Sequence, residues 1–116
     1  LALGVADRVL MLENAVYAIL SPEGFASILW RDAGRHEEAC ELMKLTAPDL
    51  LALGVVDDVV PEPEGGAHTV PEAVFRELDR ALSRHLAALL KESGSALAEK
   101  RYQKFRKMGV PPKEEP

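Results

Sequence analysis

Four residues, Ser21, Pro22, Glu23 and Gly24, stand between the apolar run VYAIL at 16–20 and a second apolar segment that ends at Trp30, and no regular element can run through them. Proline fixes φ and lacks an N–H, so it is tolerated where a helix begins and not inside one. Ser21 is a good N-cap, Pro22 suits the first helical position, and Glu23 complements the positive end of a helix dipole. The join therefore reads as a strand feeding a helix whose first backbone N–H groups are free to aim at something. Such an end can bind an anion or oxyanion, and a buried Glu23 could work as an acid or base. Capping signatures are far commoner than active sites, so a plain helix start is the favoured reading of the residues alone.

The rest of the chain alternates in the same way. RVLMLE at 8–13 and VYAIL at 16–20 read as two strands and a turn. Phe25, Ile28 and Leu29 give the 22–30 helix one apolar face. After a polar turn at 31–35, HEEACELMKL reads as a helix with Cys40 and Met43 on its inner side. Thr46 and Asp49 have capping-box spacing at the start of a third helix, which Gly54 ends. VVDDVV at 55–60 is a short β-branched strand, and PEPEGGAHT at 61–69 is a loop. Thr69, Pro71 and Glu72 start a long helix to about Lys91, with Phe75, Leu78, Leu82, Leu86 and Leu89 on one stripe that calls for an apolar partner surface. A last helix follows Ser93 and stops at Gly109, and the tail from 110 to 116 reads as disordered. We read no internal repeat. The opening LALG, at 1–4, reads as the closing turn of a helix that starts further upstream, so the chain reads as a fragment.

Composition limits what such a chain can be. With 116 residues, 47% hydrophobic and 28% charged, it is one soluble globular domain or part of one, and a net charge of −5 gives no bulk attraction to nucleic acid or an anionic membrane. The lone Cys40 excludes an internal disulfide and a cysteine-rich zinc site, and it fits a reducing cytoplasm. No apolar run approaches the ~20 residues of a spanning helix.

Other candidates are weaker. Asp57, Asp58, Glu62, Glu64 and His68 form an acidic stretch without the spacing of a calcium or zinc site, so a solvated edge and loop is favoured over a metal. Gly65 and Gly66 lack a full phosphate-loop pattern and read as a turn. His85, on the stripe of the long helix, reads as a partly buried, hydrogen-bonded residue; Cys40 reads as a small buried side chain rather than a nucleophile. Lys100, Arg101, Lys104, Arg106 and Lys107 are interleaved with Tyr102 and Phe105. They suit either a grip on a phosphate-bearing ligand or acidic partner, or a solvated face that complements the helix dipole.

Three stretches carry a resemblance: LALGVADRVLMLENAVYAILSPEGFASILW, then LTAPDLLALGVVDDVVPEPEGGAH, then RYQKFRKMG. In this order they resemble the C-terminal part of the α subunit of bacterial acetyl-coenzyme A carboxylase carboxyltransferase, and more faintly the crotonase superfamily. The resemblance implies an α/β architecture of the crotonase/ClpP-like kind, its C-terminal portion only. Residues 1–109 would belong to the α domain, with core strands and helices over 1–60 and C-terminal helices over 70–109. It implies transfer of a carboxyl group from carboxybiotin on a carrier protein to acetyl-CoA, giving malonyl-CoA for fatty acid biosynthesis in the cytoplasm. The implied partners are a β subunit, which would hold the only zinc, the biotin carboxyl carrier protein and biotin carboxylase, with two α and two β chains in the assembly.

In that family a glycine-rich oxyanion turn would fall upstream of Leu1, so no catalytic residue is expected within this chain, and the chain alone should not turn over. Ser21, Glu23 and Gly24 would line the site where a hydratase of the superfamily keeps a catalytic glutamate. Lys100, Arg101 and Lys104 would meet CoA phosphates or a neighbouring subunit. No metal is expected here. Two rival readings are a crotonase-type CoA hydratase or isomerase, which would need Glu23 to be essential, and a non-enzymatic helical interaction module using the 71–91 stripe and the basic helix.

Overall fold

The computed structural model describes residues 4–110. The chain forms β1 (Leu10–Leu12), α1 (Pro22–Trp30), a 3-10 turn (Ala33–Arg35), α2 (His36–Met43), α3 (Ala47–Ala52), β2 (Asp58–Val60), α4 (Pro71–Leu89) and α5 (Gly94–Lys107). The α/β reading holds. β1 and β2 pair in parallel, with Leu10 opposite Asp58, Met11 opposite Val59 and Leu12 opposite Val60. Parallel neighbours cannot share a tight turn, so the chain must cross over, and α1 to α3 make that crossing. The ladder is extended at both ends, by Asp57 N–H to the Val9 carbonyl at 2.8 Å and Glu13 N–H to the Val60 carbonyl at 2.9 Å.

The core sits where α3 crosses this sheet. Met11, Ala47, Leu50 and Val56 form one buried cluster, with Val9, Tyr17, Val55 and Val59 packed around it. Burying side chains of the larger kind contributes roughly 1.5–3 kcal/mol each. Gly54 ends α3 in the left-handed region, φ +69, where a side chain would be strained. The N–H groups of Val55 and Val56 then both turn back to the Leu50 carbonyl, at 2.9 and 3.3 Å. Those two valines close the helix, and β2 is therefore shorter than the 55–60 run. The Thr46 and Asp49 pair also departs from a capping box: the Thr46 hydroxyl donates to the Asp49 carboxylate at 2.9 Å instead of capping the backbone.

Four sequence readings are corrected. The 16–20 run is not a strand: Val16 makes one antiparallel bridge to Thr46, Tyr17 N–H reaches the Leu45 carbonyl, and Ile19 is 95% exposed. A strand persists only where a neighbour completes its ladder, and the chain at 45–46 turns at once into α3. Cys40 is exposed, because α2, packed on α1, turns Ala39 inward to full burial and places the next residue about 100° round the helix. On α4 the buried residues are Val74 and Ala81, while Phe75, Leu82 and Leu86 of the expected inner stripe are exposed. The reason lies in Asp58, described below, which grips α4 on the side of His85. Thr69 does not cap α4 either; its hydroxyl closes the preceding loop on the Gly66 carbonyl at 2.7 Å, and Val70 holds the cap position.

Gly65 and Gly66, both at positive φ, form the expected turn. The readings of a helix end over 1–4 and a disordered tail over 110–116 fall, apart from Gly4 and Val110, outside the described residues. The radius of gyration is 17.0 Å, against about 13 Å for a compact chain of this size, so apolar faces such as the outer side of α4 stay open. Among the described residues no helix is long and apolar enough to cross a membrane.

Candidate functional site

The Ser21 to Gly24 junction starts a helix as its sequence requires. Ser21 is the N-cap, with φ −72° and ψ 157°, and its Oγ accepts from Gly24 N–H at 3.1 Å. Its carbonyl accepts the first helical bond from Phe25 N–H at 3.0 Å. Pro22 has no N–H to offer. The Glu23 carboxyl is held below its ordinary value first by its own backbone N–H and then by the Ser21 hydroxyl. The N–H groups of Gly24 and Phe25 are thus both answered by Ser21, as in the plain helix start that the sequence favoured. Glu23 is exposed and ionised at neutral pH, a poor state for a general acid. Gly24 lies under Leu20: a Cβ there would come within 3.4 Å of Leu20 Cδ1.

Lys100, Arg101 and Lys104 occupy a different place. They line a cleft of about 490 Å³ between α5 and the turns that precede β1 and β2, with Leu53, Leu89, Leu97 and Met108 as apolar walls. None of the three cations is left unmatched. Lys104 Nζ donates to Asp57 Oδ2 at 2.6 Å, Arg101 Nη1 to Asp7 Oδ1 at 3.1 Å, and Lys100 to Glu92. The Lys104 and Asp57 side chains are each only 16% exposed, so this pair is the least screened by water. Asp57 also accepts from Val9 N–H at 2.7 Å. Burial alone would raise its carboxyl, but the bonds from Lys104 and Val9 and the charges of Lys104 and Arg8 hold it below the usual carboxylate value.

The two aspartates were not singled out together from the sequence, although a signal was present. Residues 1–5 and 51–55 both read LALGV, and each is followed by Asp and Val at matched positions, Asp7 and Val9 in one, Asp57 and Val59 in the other. The chain does contain this short internal repeat. Residues 4–7 and 54–57 both turn ahead of a strand, and each stretch offers its aspartate to α5, where Arg101 and Lys104 lie one turn apart.

The acidic stretch is spent on the fold. Asp58 Oδ2 binds His85 Nε2 at 2.8 Å and also Arg84, tying β2 to α4, and the bond from His85 is the chief reason its carboxyl is held low. His85 is thus the half-buried, hydrogen-bonded residue its position suggests. Glu62 accepts from Asn14 N–H at 2.6 Å and Ala67 N–H at 2.9 Å, and Glu13 returns the tie through Glu62 N–H at 3.0 Å. Among the described residues no group of His, Cys, Asp or Glu side chains could hold a metal ion.

The structure therefore keeps the two candidate sets apart, since Ser21, Glu23 and Gly24 do not line the cleft of the basic helix. What the described residues offer chemically is a cation-rich helix held by acids and a loop-to-helix corner that presents one ionised carboxylate. Comparison with known proteins gives this arrangement a family. Residues 1–109 match the family described as acetyl co-enzyme A carboxylase carboxyltransferase-like. An acetyl-coenzyme A carboxylase carboxyl transferase subunit alpha from Methylobacterium nodulans is 56% identical over 109 residues, covering 94% of this chain and 34% of the relative. The proteins of that name from Thermosynechococcus vestitus and Shouchella clausii are 53% identical over 110 residues (95% of this chain, 34% of the relative) and 49% over 114 residues (98% and 35%). The chain spans about a third of the length of these relatives. It belongs to the acetyl co-enzyme A carboxylase carboxyltransferase-like family.

Proposed function

We propose that the chain is the C-terminal portion of a carboxyltransferase α subunit, whose complete form moves a carboxyl group from carboxybiotin on a carrier protein to acetyl-CoA, giving malonyl-CoA for fatty acid synthesis. The observation that carries this reading is the family match over residues 1–109, at 49% to 56% identity to relatives bearing that name. In this reading β1 and β2 belong to a larger crotonase-like core. The active site lies between the α chain and a zinc-bearing β subunit in the cytoplasm, with the biotin carboxyl carrier protein and biotin carboxylase as the other partners.

The chemistry breaks the bond between the carboxyl carbon and the ureido nitrogen of biotin, passes a proton from the acetyl methyl group to the ureido group so released, and joins the two carbons. A developing enolate needs fixed N–H donors, and the junction at Ser21 uses its own N–H groups internally. Ser21, Glu23 and Gly24 therefore border and shape the site, with Glu23 present as a fixed charge and the oxyanion donors supplied elsewhere in the assembly. Lys100, Arg101 and Lys104 set the position of α5, whose basic face meets CoA phosphates or a neighbouring subunit. The 116-residue chain alone carries no turnover.

The test is malonyl-CoA formation by the complete α chain with its β subunit, for wild type and Glu23→Gln. Biotin-dependent transfer that falls by less than about threefold in the variant supports the assignment, because general acid or base groups contribute ~10²–10⁴. Transfer cut by such a factor in a folded variant would make Glu23 a proton carrier, and CoA-ester hydration without any need for biotin would overturn the reading altogether.

A further inference from the structure

The attachment of α5 is unusual for a helix on a small fold. It buries no residue completely, and its aromatic side chains Tyr102 and Phe105 are 57% and 39% exposed. Leu97 and Met108 reach the cleft walls but remain half-buried. What ties the helix to the strand-bearing part of the chain is charge: Arg101 on Asp7 and Lys104 on Asp57, both acids supplied by the two copies of the LALGV repeat, with Lys100 on Glu92 at the helix's own entry. A helix held by apolar burial is indifferent to salt or strengthened by it, whereas one held by half-exposed ion pairs is loosened.

We propose that α5 is an electrostatically latched strap over the 490 Å³ cleft, which releases stepwise as its ion pairs are screened and opens the cleft wall at the half-buried Leu89. The exposures set an order of release. The Arg101 and Lys100 side chains are 40% and 65% exposed, so these pairs yield first; Lys104 and Asp57, at 16% each, form the last hold. This device is independent of the carboxyltransferase reading, since it rests only on how this helix is held.

Hydrogen exchange followed by mass spectrometry tests it on the complete polypeptide, at about 0.05 M and about 1 M potassium chloride, conditions that shorten the screening length from above 10 Å to about 3 Å. Amides of α5 should exchange about tenfold faster at high salt, beginning around Lys100 and Arg101, while those of α3, which is anchored in the apolar core, change by less than about twofold. At low salt Arg101→Asp should reproduce the loosening, and adding Asp7→Arg should restore protection by reversing the pair. Arg101→Gln, which adds no repulsion, should loosen α5 less and reduce its salt response. Protection of α5 that ignores salt, or a charge-reversed pair that fails to recover it while α3 stays protected, overturns the proposal.

Discussion

Replacing Asp57 tests the most concentrated tie in the molecule. One carboxylate accepts from the Val9 N–H, receives Lys104 and lies 3.4 Å from Arg8. Asp57→Ala removes all three and leaves Lys104, itself 16% exposed, without a counter-ion. A lost hydrogen bond to a charged group costs ~1.5–3 kcal/mol, an exposed pair ~0.2–1 kcal/mol and a broken buried pair ~3–5 kcal/mol, so this intermediate site should lose about 2–3 kcal/mol. Asp57→Asn keeps an acceptor for Val9 and should lose about half as much. With a urea slope of ~1–3 kcal/mol/M, the alanine variant's midpoint should fall by about 1 M or more at pH 7.

The pH dependence has a definite sign. The folded carboxyl lies below its ordinary value of 3.8, so its contribution is complete above that value and disappears as the pH falls through the depressed one. The gap between wild-type and variant urea midpoints, measured from neutral pH down to about pH 3, should therefore narrow toward the acid end. A difference of less than about 0.3 kcal/mol at pH 7, or a gap that widens on acidification, would refute the reasoning.

Two further outcomes follow from the α1 corner and its neighbour. Ser21→Ala should cost about 1 kcal/mol through the lost bond to Gly24 N–H, read as a lower thermal midpoint, whereas Ser21→Asp should retain most of it. Trp30, the only tryptophan, meets Phe25 edge-on at 6.3 Å and carries the Arg35 guanidinium 4.0 Å over its ring. Arg35→Ala should shift its fluorescence and cost ~0.5–1 kcal/mol, and an unchanged spectrum would mean that this stack does not form.

Local signals were the legible part of the sequence. Ser21 and Pro22 announced α1, Gly54 the end of α3, and the paired glycines the turn before α4, because each acts on its own few bonds. The 16–20 run misled because β-branched and apolar residues record a preference for strand, while a strand also needs a neighbour that only the tertiary fold provides. On α4, helical spacing marked the apolar residues correctly but could not choose which side turns inward; Asp58 made that choice by gripping Arg84 and His85. The same limit hid the site of the basic helix. Its lysines and arginine were visible, but their partners lie at Asp7 and Asp57, far away in the chain, and only the LALGV repeat hinted that two such acids are equivalent.

The parallel pairing of Leu10 with Asp58 sets an order of assembly. The contacts among Phe25, Trp30, Arg35 and Glu38 span few residues and close quickly, since the entropy of loop closure grows with the length enclosed. β1 must wait for the whole crossover before its partner arrives, and the bond from Arg101 to Asp7 spans 94 positions. Contacts of that range slow folding, so during synthesis the α1 and α2 hairpin should form while β1 still lacks its neighbour. The strap α5, made last, can close only on a sheet that is already built.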